Sequence, residues 1–204
     1  QQLTADTLWF INPEGTGDSA WTNALASERP VYNDDFTQMT VKLREGIYWS
    51  DGVEFTSADV KYTVETQIEH PGMGWSAPFT VNVASVEAPD RNTVIFNLNA
   101  SNSRFHTLFT VRWNAAWILP KHVFENVEDP LTFAHNPPTS LSAYVLHNYD
   151  PAGQWAIWKL RDDWQRTSIG MTLDEAPAVK YVVYRTAGNP DAMAVAAAAS
   201  VDSS

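Results

Sequence analysis

The 204-residue chain has no cysteine, so neither a disulfide framework nor a thiolate metal site can form in it. That absence leaves the redox compartment open. Runs of lysine and arginine are missing too. With 13 basic and 24 acidic residues and a formal net charge of −11, no nucleic-acid partner is expected, because a phosphate backbone is bound by clustered cations. No apolar stretch approaches the roughly 18 residues that span a bilayer, and Gln1-Gln2-Leu3-Thr4 lacks the charged and apolar regions of a signal peptide. The five histidines, at 70, 106, 122, 135 and 147, include no i,i+3 or i,i+4 pair. No metal site is expected, and His122 beside Lys121 reads as structural.

What is present describes a soluble globular chain, 44% hydrophobic and 18% charged, long enough for one large domain or two small ones. Nine tryptophans are many for this length. Most belong in cores, and some can line a ligand cleft, since flat rings bury much area at little entropic cost.

The stretch from Leu43 to Thr66 carries consecutive local signals. Thr40 to Arg44 reads as a strand, and Ile47-Tyr48-Trp49 continue its β-prone character past Gly46. Ser50-Asp51-Gly52 is a turn. Thr56, followed three residues later by Asp59, caps a helix, and Val60, Val64 and Ile68 form its apolar stripe to about His70-Pro71.

Further along, Leu8-Trp9-Phe10-Ile11 is an apolar cluster closed by the turn Asn12-Pro13-Glu14-Gly15. Asn33-Asp34-Asp35 marks a hairpin turn. Its adjacent carboxylates point apart in such a turn, which excludes them as an acid–base pair across one bond. Val81 to Ala88, with Val81, Val83 and Ser85 on one face, and Thr93 to Asn99, with Val94, Phe96 and Leu98 on one face, predict a hairpin about Pro89-Asp90-Arg91-Asn92. Ser103 to Phe109 predicts a short helix with Phe105, Leu108 and Phe109 inward. Tyr144 to Tyr149 and Gln154 to Arg161 predict a second hairpin about Asp150-Pro151-Ala152-Gly153. Trp155 and Trp158, an odd number apart, then face opposite sides of their strand. Ala178 to Tyr184 is a further strand, and Asn189-Pro190-Asp191 opens an alanine-rich last helix.

The ordered residues Leu43-Arg44, Gly46, Trp49-Ser50-Asp51-Gly52, Phe55-Thr56, Ala58-Asp59-Val60 and Tyr62 resemble the signature segment of the family 5 extracellular solute-binding proteins, the binding components of ABC importers. Ala24-Leu25-Ala26-Ser27, Leu119-Pro120-Lys121-His122-Val123 and Arg161-Asp162-Asp163-Trp164 resemble further phrases of that family. Pro137 to Tyr144 departs from it, with Ser142-Ala143 where the family has Gly-Pro before the tyrosine.

The resemblance implies an α/β fold of periplasmic-binding-protein type II, here partial, with an earlier strand of the large lobe missing. Residues 1–37 would belong to the large lobe, 38–120 to a small inserted lobe, 121–187 to the return into the large lobe, and 188–204 to the start of a further lobe. It implies a protein with no cofactor, monomeric, periplasmic or extracellular, either free or lipid-anchored to the outer face of the cytoplasmic membrane. That protein would capture an oligosaccharide or oligopeptide and deliver it to an ABC transporter permease.

Trp75, in the Gly- and Pro-rich loop Pro71 to Pro78 that corresponds to a cleft-facing loop of the family, is the first candidate ligand contact. Trp113 and Trp117, on the hinge side, together with Trp9 and Asn12, complete the set. The aromatic content favours a sugar ligand. An enzyme acting on sugars or peptides is the alternative, against which stands the lack of a nucleophile-elbow serine, a cysteine or paired histidines. A ligand-sensing receptor module using the same cleft is another.

Overall fold

The computed structural model describes residues 3, 5–12, 14–110 and 115–186. Trp113 and the alanine-rich segment after Asn189 lie outside these residues.

Strands β1 (Trp9–Ile11) and β2 (Trp21–Asn23) form an antiparallel pair with Trp9 opposite Asn23. Four strands follow: β3 (Val31–Tyr32), β4 (Gln38–Lys42), β5 (Val83–Asp90) and β6 (Thr93–Leu98), arranged antiparallel in the order β3-β4-β6-β5. Helix α1 (Ser57–Glu69) packs on β5 and β6, and α2 (Ser76–Asn82) packs on α1. After the short helix α3 (Lys121–Phe124), strands β7 (Tyr144–Tyr149), β8 (Trp155–Leu160) and β9 (Tyr181–Arg185) make an antiparallel sheet in that order.

The core sits where alternation on the strands meets helical periodicity on α1. Met39 and Val41 of β4, Val94 and Phe96 of β6, and Val60 and Val64 of α1 are all fully buried. Phe96 is 5.3 Å from Phe105 and 5.5 Å from Phe109 between ring centroids, and Phe79 is 5.5 Å from Phe109. This one cluster runs from Leu8 to Leu141, while Ala143, Leu160 and Trp164 form a smaller one under the second sheet.

Two local expectations change. The signature strand stops at Lys42, after which Leu43 makes only an isolated bridge to Ala26. Gly46, at φ +75°, turns the chain out of the sheet, so Ile47 to Trp49 form a loop closed on itself. There the Trp49 amide donates to the Val53 carbonyl at 2.8 Å, and Gly52 takes the positive φ of +89° that the Asp-Gly turn needs.

Val81 belongs to α2, where it is 72% exposed, and not to the following strand. A bulge between Val83 and Ser85 then shifts the phase of β5, so that Val83 and Val86 are its buried residues. Both predicted hairpins form, with further register shifts between Glu87 and Asp90 and between Leu146 and Asn148, and the helix expected over Ser103 to Phe109 is the shorter 3-10 turn Phe105–Phe109.

Candidate functional site

The site is built around Trp117, and the signature helix holds it there. The Asp59 carboxylate accepts from the Thr56 amide at 2.9 Å, capping α1, and from the Lys121 amide at 3.0 Å. One turn on, the buried Thr63 hydroxyl donates to the Asp59 carbonyl at 2.7 Å and accepts from the Leu119 amide at 2.8 Å. Two polar side chains on the buried face of α1 thus satisfy backbone amides of the extended segment leading into α3, which fixes the stretch carrying Trp117. Burial pushes the Asp59 carboxyl up, against the lowering effect of those amides and of His122.

The opposite wall, Ser140 to Tyr144, is held by Arg161, only 4% exposed. Its guanidinium donates to the carbonyls of Tyr48 (3.0 Å), Trp49 (3.2 Å), Ser140 (3.3 Å) and Ser142 (3.4 Å). It also pairs in a fork with Asp163 at 2.9 and 2.8 Å, holding that carboxyl below its ordinary range. Ser140 adds a hydroxyl bond to the Tyr144 carbonyl at 2.6 Å, and its backbone is tied to Ser50 through the Ser50 amide at 2.8 Å and the Ser50 hydroxyl at 2.9 Å.

Trp117 is half-buried and lies between two recesses of about 360 Å³ each. The first is lined by Asp6, Phe10, Trp117, Ser142, Tyr144, Ser168 and Tyr184. The second is lined by Trp49, Trp117, Phe124, His135, Pro138 and Trp158. Ala5 and Trp117 are common to both.

Asp6 is the one charged residue in the first lining. It accepts from the Thr7 amide at 2.9 Å and from the Ser168 hydroxyl, tying the start of the chain to the segment after β8. Burial pushes its carboxyl up to about 6 from 3.8, against smaller lowering by Ser168, Thr7 and the Arg44 charge.

Because the folded group holds its proton more tightly than the unfolded one, its contribution to stability is complete below about 3.8 and is lost as pH rises through about 6. The loss is on the order of 3 kcal/mol by pH 7 to 8. Asp6→Asn is expected to abolish that loss. In urea titrations, the stability of the native sequence relative to the variant should fall from pH 4 to pH 7.5, and a difference independent of pH would contradict the assignment.

The other expected contacts do not gather at these recesses. Trp75 caps α2 and is half-buried against the main core, its amide donating to Gln67 Oε1 at 3.0 Å and its ring 6.3 Å from Phe79. Trp9 is fully buried, its indole N–H donating to the Glu28 carbonyl at 2.7 Å and its ring 5.7 Å from Trp21. It has no surface to offer a ligand. Asn12 is an exposed turn residue whose Oδ1 accepts from the Glu14 amide at 3.1 Å.

Sequence reasoning missed Asp6, Ser168, Trp49, His135 and Trp158. Only the two tryptophans had a signal, their residue type. Among the described residues, no group of three or more His, Asp or Glu is placed to hold a metal ion, and no helix is long and apolar enough to cross a membrane. His122 Nε2 lies 2.8 Å from Asp51 Oδ2.

Two other hollows carry less. An open groove of about 430 Å³ runs beside Trp155 to Thr186, the last described residue. A polar one of about 620 Å³ surrounds Lys42 and Arg91, whose charged ends are engaged by Thr93 and Glu54.

Residues 20–202 match the family model of bacterial extracellular solute-binding proteins, family 5 Middle. The chain is 32% identical over 124 residues to Protein XP55 of Streptomyces lividans, covering 60% of this chain and 22% of that protein. Its structure resembles the ABC transporter substrate-binding protein CtaP of Listeria monocytogenes, at 25% identity and a TM-score of 0.79, covering 98% of this chain and 38% of that one. It also resembles the periplasmic oligopeptide-binding protein of an oligopeptide ABC transporter of Thermotoga maritima, solved with mannohexaose bound, at 21% identity and a TM-score of 0.77 over 96% of this chain and 34% of that one. The chain therefore spans between about a fifth and two fifths of the length of these relatives.

Proposed function

This chain belongs to the bacterial extracellular solute-binding proteins of family 5 and has the fold of part of a type II periplasmic binding protein; from that premise we propose that it forms one wall of a ligand cleft whose contacts centre on Trp117. The observation that carries this reading is a half-buried indole standing between two recesses, on a backbone anchored by buried side chains of α1. The remainder of the protein supplies the facing wall. Hinge closure traps the ligand because the closed state gains contacts to both walls.

The ligand is a neutral oligosaccharide in first place, since flat aromatic surfaces suit sugar faces, and an oligopeptide in second. The Thermotoga relative is described both as an oligopeptide-binding protein and as bound to mannohexaose. The protein acts without a cofactor and without turnover, as an extracytoplasmic monomer, free or lipid-anchored to the outer face of the cytoplasmic membrane, handing its ligand to an ABC permease. Residues 38–120 act as the small inserted lobe between two parts of the large one, 1–37 and 121–187, with 188–204 leading into the next lobe.

Trp75 and Trp113 contribute contacts when the lobes meet. Trp9 and Asn12 act from behind, flanking Phe10 and Ile11 so that Phe10 stays at the first recess.

Native mass spectrometry of the full-length protein tests the reading. A small molecule of discrete mass that is released unchanged on unfolding is the expected result, and conversion of added cellopentaose or peptide to product would contradict it. Trp75→Ala should weaken binding by about 1 kcal/mol, measured by intrinsic fluorescence, whereas full affinity would remove Trp75 from the site.

A further inference from the structure

Between Asn136 and Ser140 the chain has a single backbone amide to give, because Pro137 and Pro138 carry none. That amide finds a side chain. Thr139 N–H donates to Nε2 of His135, four residues back, at 2.9 Å, and so closes residues 135 to 139 into a loop. His135, Pro138 and Thr139 all line the second recess, so this bond sets one of its walls.

The two ends of the stretch are held differently. Ser140 is fully buried, its amide donating to the Ser50 hydroxyl at 2.9 Å and its carbonyl accepting from the Ser50 amide and from Arg161. Asn136 and Pro137 are exposed, and their tether is the Asn136 side chain, which donates to the Tyr149 hydroxyl at 2.9 Å. Release of the Thr139 amide therefore frees Pro137 to Thr139 to move against a fixed Ser140, leaving the wall that Arg161 holds in place.

A ring nitrogen that accepts from an amide carries no proton, which puts the proton of the neutral imidazole on Nδ1. A second proton lands on Nε2 and meets the amide donor to donor. The Thr139 hydroxyl lies 3.2 Å from Nε2 and can accept that proton.

We infer that His135 is a pH-sensitive latch on the wall of the second recess: neutral, it holds the Thr139 amide, and protonated, it hands its bond to the Thr139 hydroxyl and lets Pro137 to Thr139 open outward. The latch does not depend on what the recess binds. Burial pushes the His135 pKa below the ordinary 6.5, with Asp51 of the signature turn opposing this and His122 of α3 adding to it. Those two groups are themselves 2.8 Å apart. Phe124 and Phe133, whose rings lie 5.2 and 6.0 Å from His135, bring no charge.

Because the folded ring binds its proton less tightly than the unfolded one, the contribution of the neutral latch to stability is complete above about 6.5 and is lost as pH falls through the lower folded value. Asp6 acts with the opposite sign over the neighbouring range. A global unfolding curve mixes the two, and a local readout separates them.

Backbone hydrogen exchange of the full-length protein, resolved to single residues by mass spectrometry and corrected for the chemical exchange rate, tests the latch between about pH 4.5 and 8. Protection of the Thr139 amide should fall at least about tenfold as His135 titrates, its midpoint being read from deuterium exchange at the imidazole C2 in the same samples. The Leu119 amide, held by Thr63, should change less than about twofold. His135→Ala should leave Thr139 unprotected at every pH. Thr139→Val keeps the amide and removes the hydroxyl, so it should lower the His135 midpoint by about half a unit.

Thr139 protection that does not follow the His135 midpoint, or a His135 that stays neutral down to about pH 4.5, would overturn the latch. So would loss of protection at Thr139 and Leu119 together, which is unfolding and not local opening. An unmoved midpoint in Thr139→Val would overturn the transfer of the bond to the hydroxyl.

Discussion

Arg161→Ala is expected to destabilise this chain by about 3–5 kcal/mol, a loss of the size seen when one partner of a buried ion pair is removed. The side chain is 2% exposed and gives its protons to four backbone carbonyls and one carboxylate. Removing it takes a donor from all four carbonyls; those of Trp49 and Ser140 keep the Gly52 and Ser50 amides at 3.0 and 2.8 Å, so the penalty of an unmet acceptor falls on the Tyr48 carbonyl. The Asp163 side chain is 39% exposed, so solvent screens the ion pair and the carbonyls dominate the loss.

Arg161→Lys tests that division. An ammonium keeps the charge but cannot reach two directions as a planar fork does, so it should recover less than half of the loss. Urea unfolding followed by tryptophan fluorescence measures both variants. A change under 1 kcal/mol in Arg161→Ala would mean that the wall from Ser140 to Tyr144 stands without it.

The second large effect concerns binding. Trp117→Ala should lower the affinity of the full-length protein for its ligand by about 2 kcal/mol or more, roughly thirtyfold. The ring is half-buried, and the backbone on its C-terminal side is held through the Leu119 and Lys121 amides. Its truncation merges two recesses without opening the main core, so the cost to folding should be small beside the cost to binding. Loss of both together in equal measure would make Trp117 a structural residue.

The parts of this structure legible in the sequence are those whose cause is local. Thr56 and Asp59 announce the start of α1, and Val60, Val64 and Ile68 its inner face, because capping and periodicity act within a few residues. Asp51-Gly52 and Pro89 to Asn92 announce turns for the same reason.

Helix α2 was not legible. Its sequence, Ser-Ala-Pro-Phe-Thr-Val-Asn, holds β-branched residues and a proline that is tolerated only within the first turn. With the bulge in β5, it moved Val81 from an expected inner face to solvent.

Of the residues lining the two recesses, only Trp117 was among the expected contacts. The other members of the site come together through contacts no local pattern encodes: Asp6 meets Ser168 across 162 residues, and Arg161 reaches Tyr48 across 113. Trp9 misled for a related reason. An aromatic beside a turn reads equally well as a ligand platform or as core, and here the Glu28 carbonyl that accepts its N–H sets it in the core.

Isothermal titration of the full-length protein and its Trp117→Ala variant with cellopentaose and with a capped tetrapeptide tests the central claim most directly. Saturable one-to-one binding of at least one of these by the native protein is expected, about thirtyfold weaker in the variant, with the variant's fold retained by circular dichroism. Equal affinity in the two proteins would contradict it.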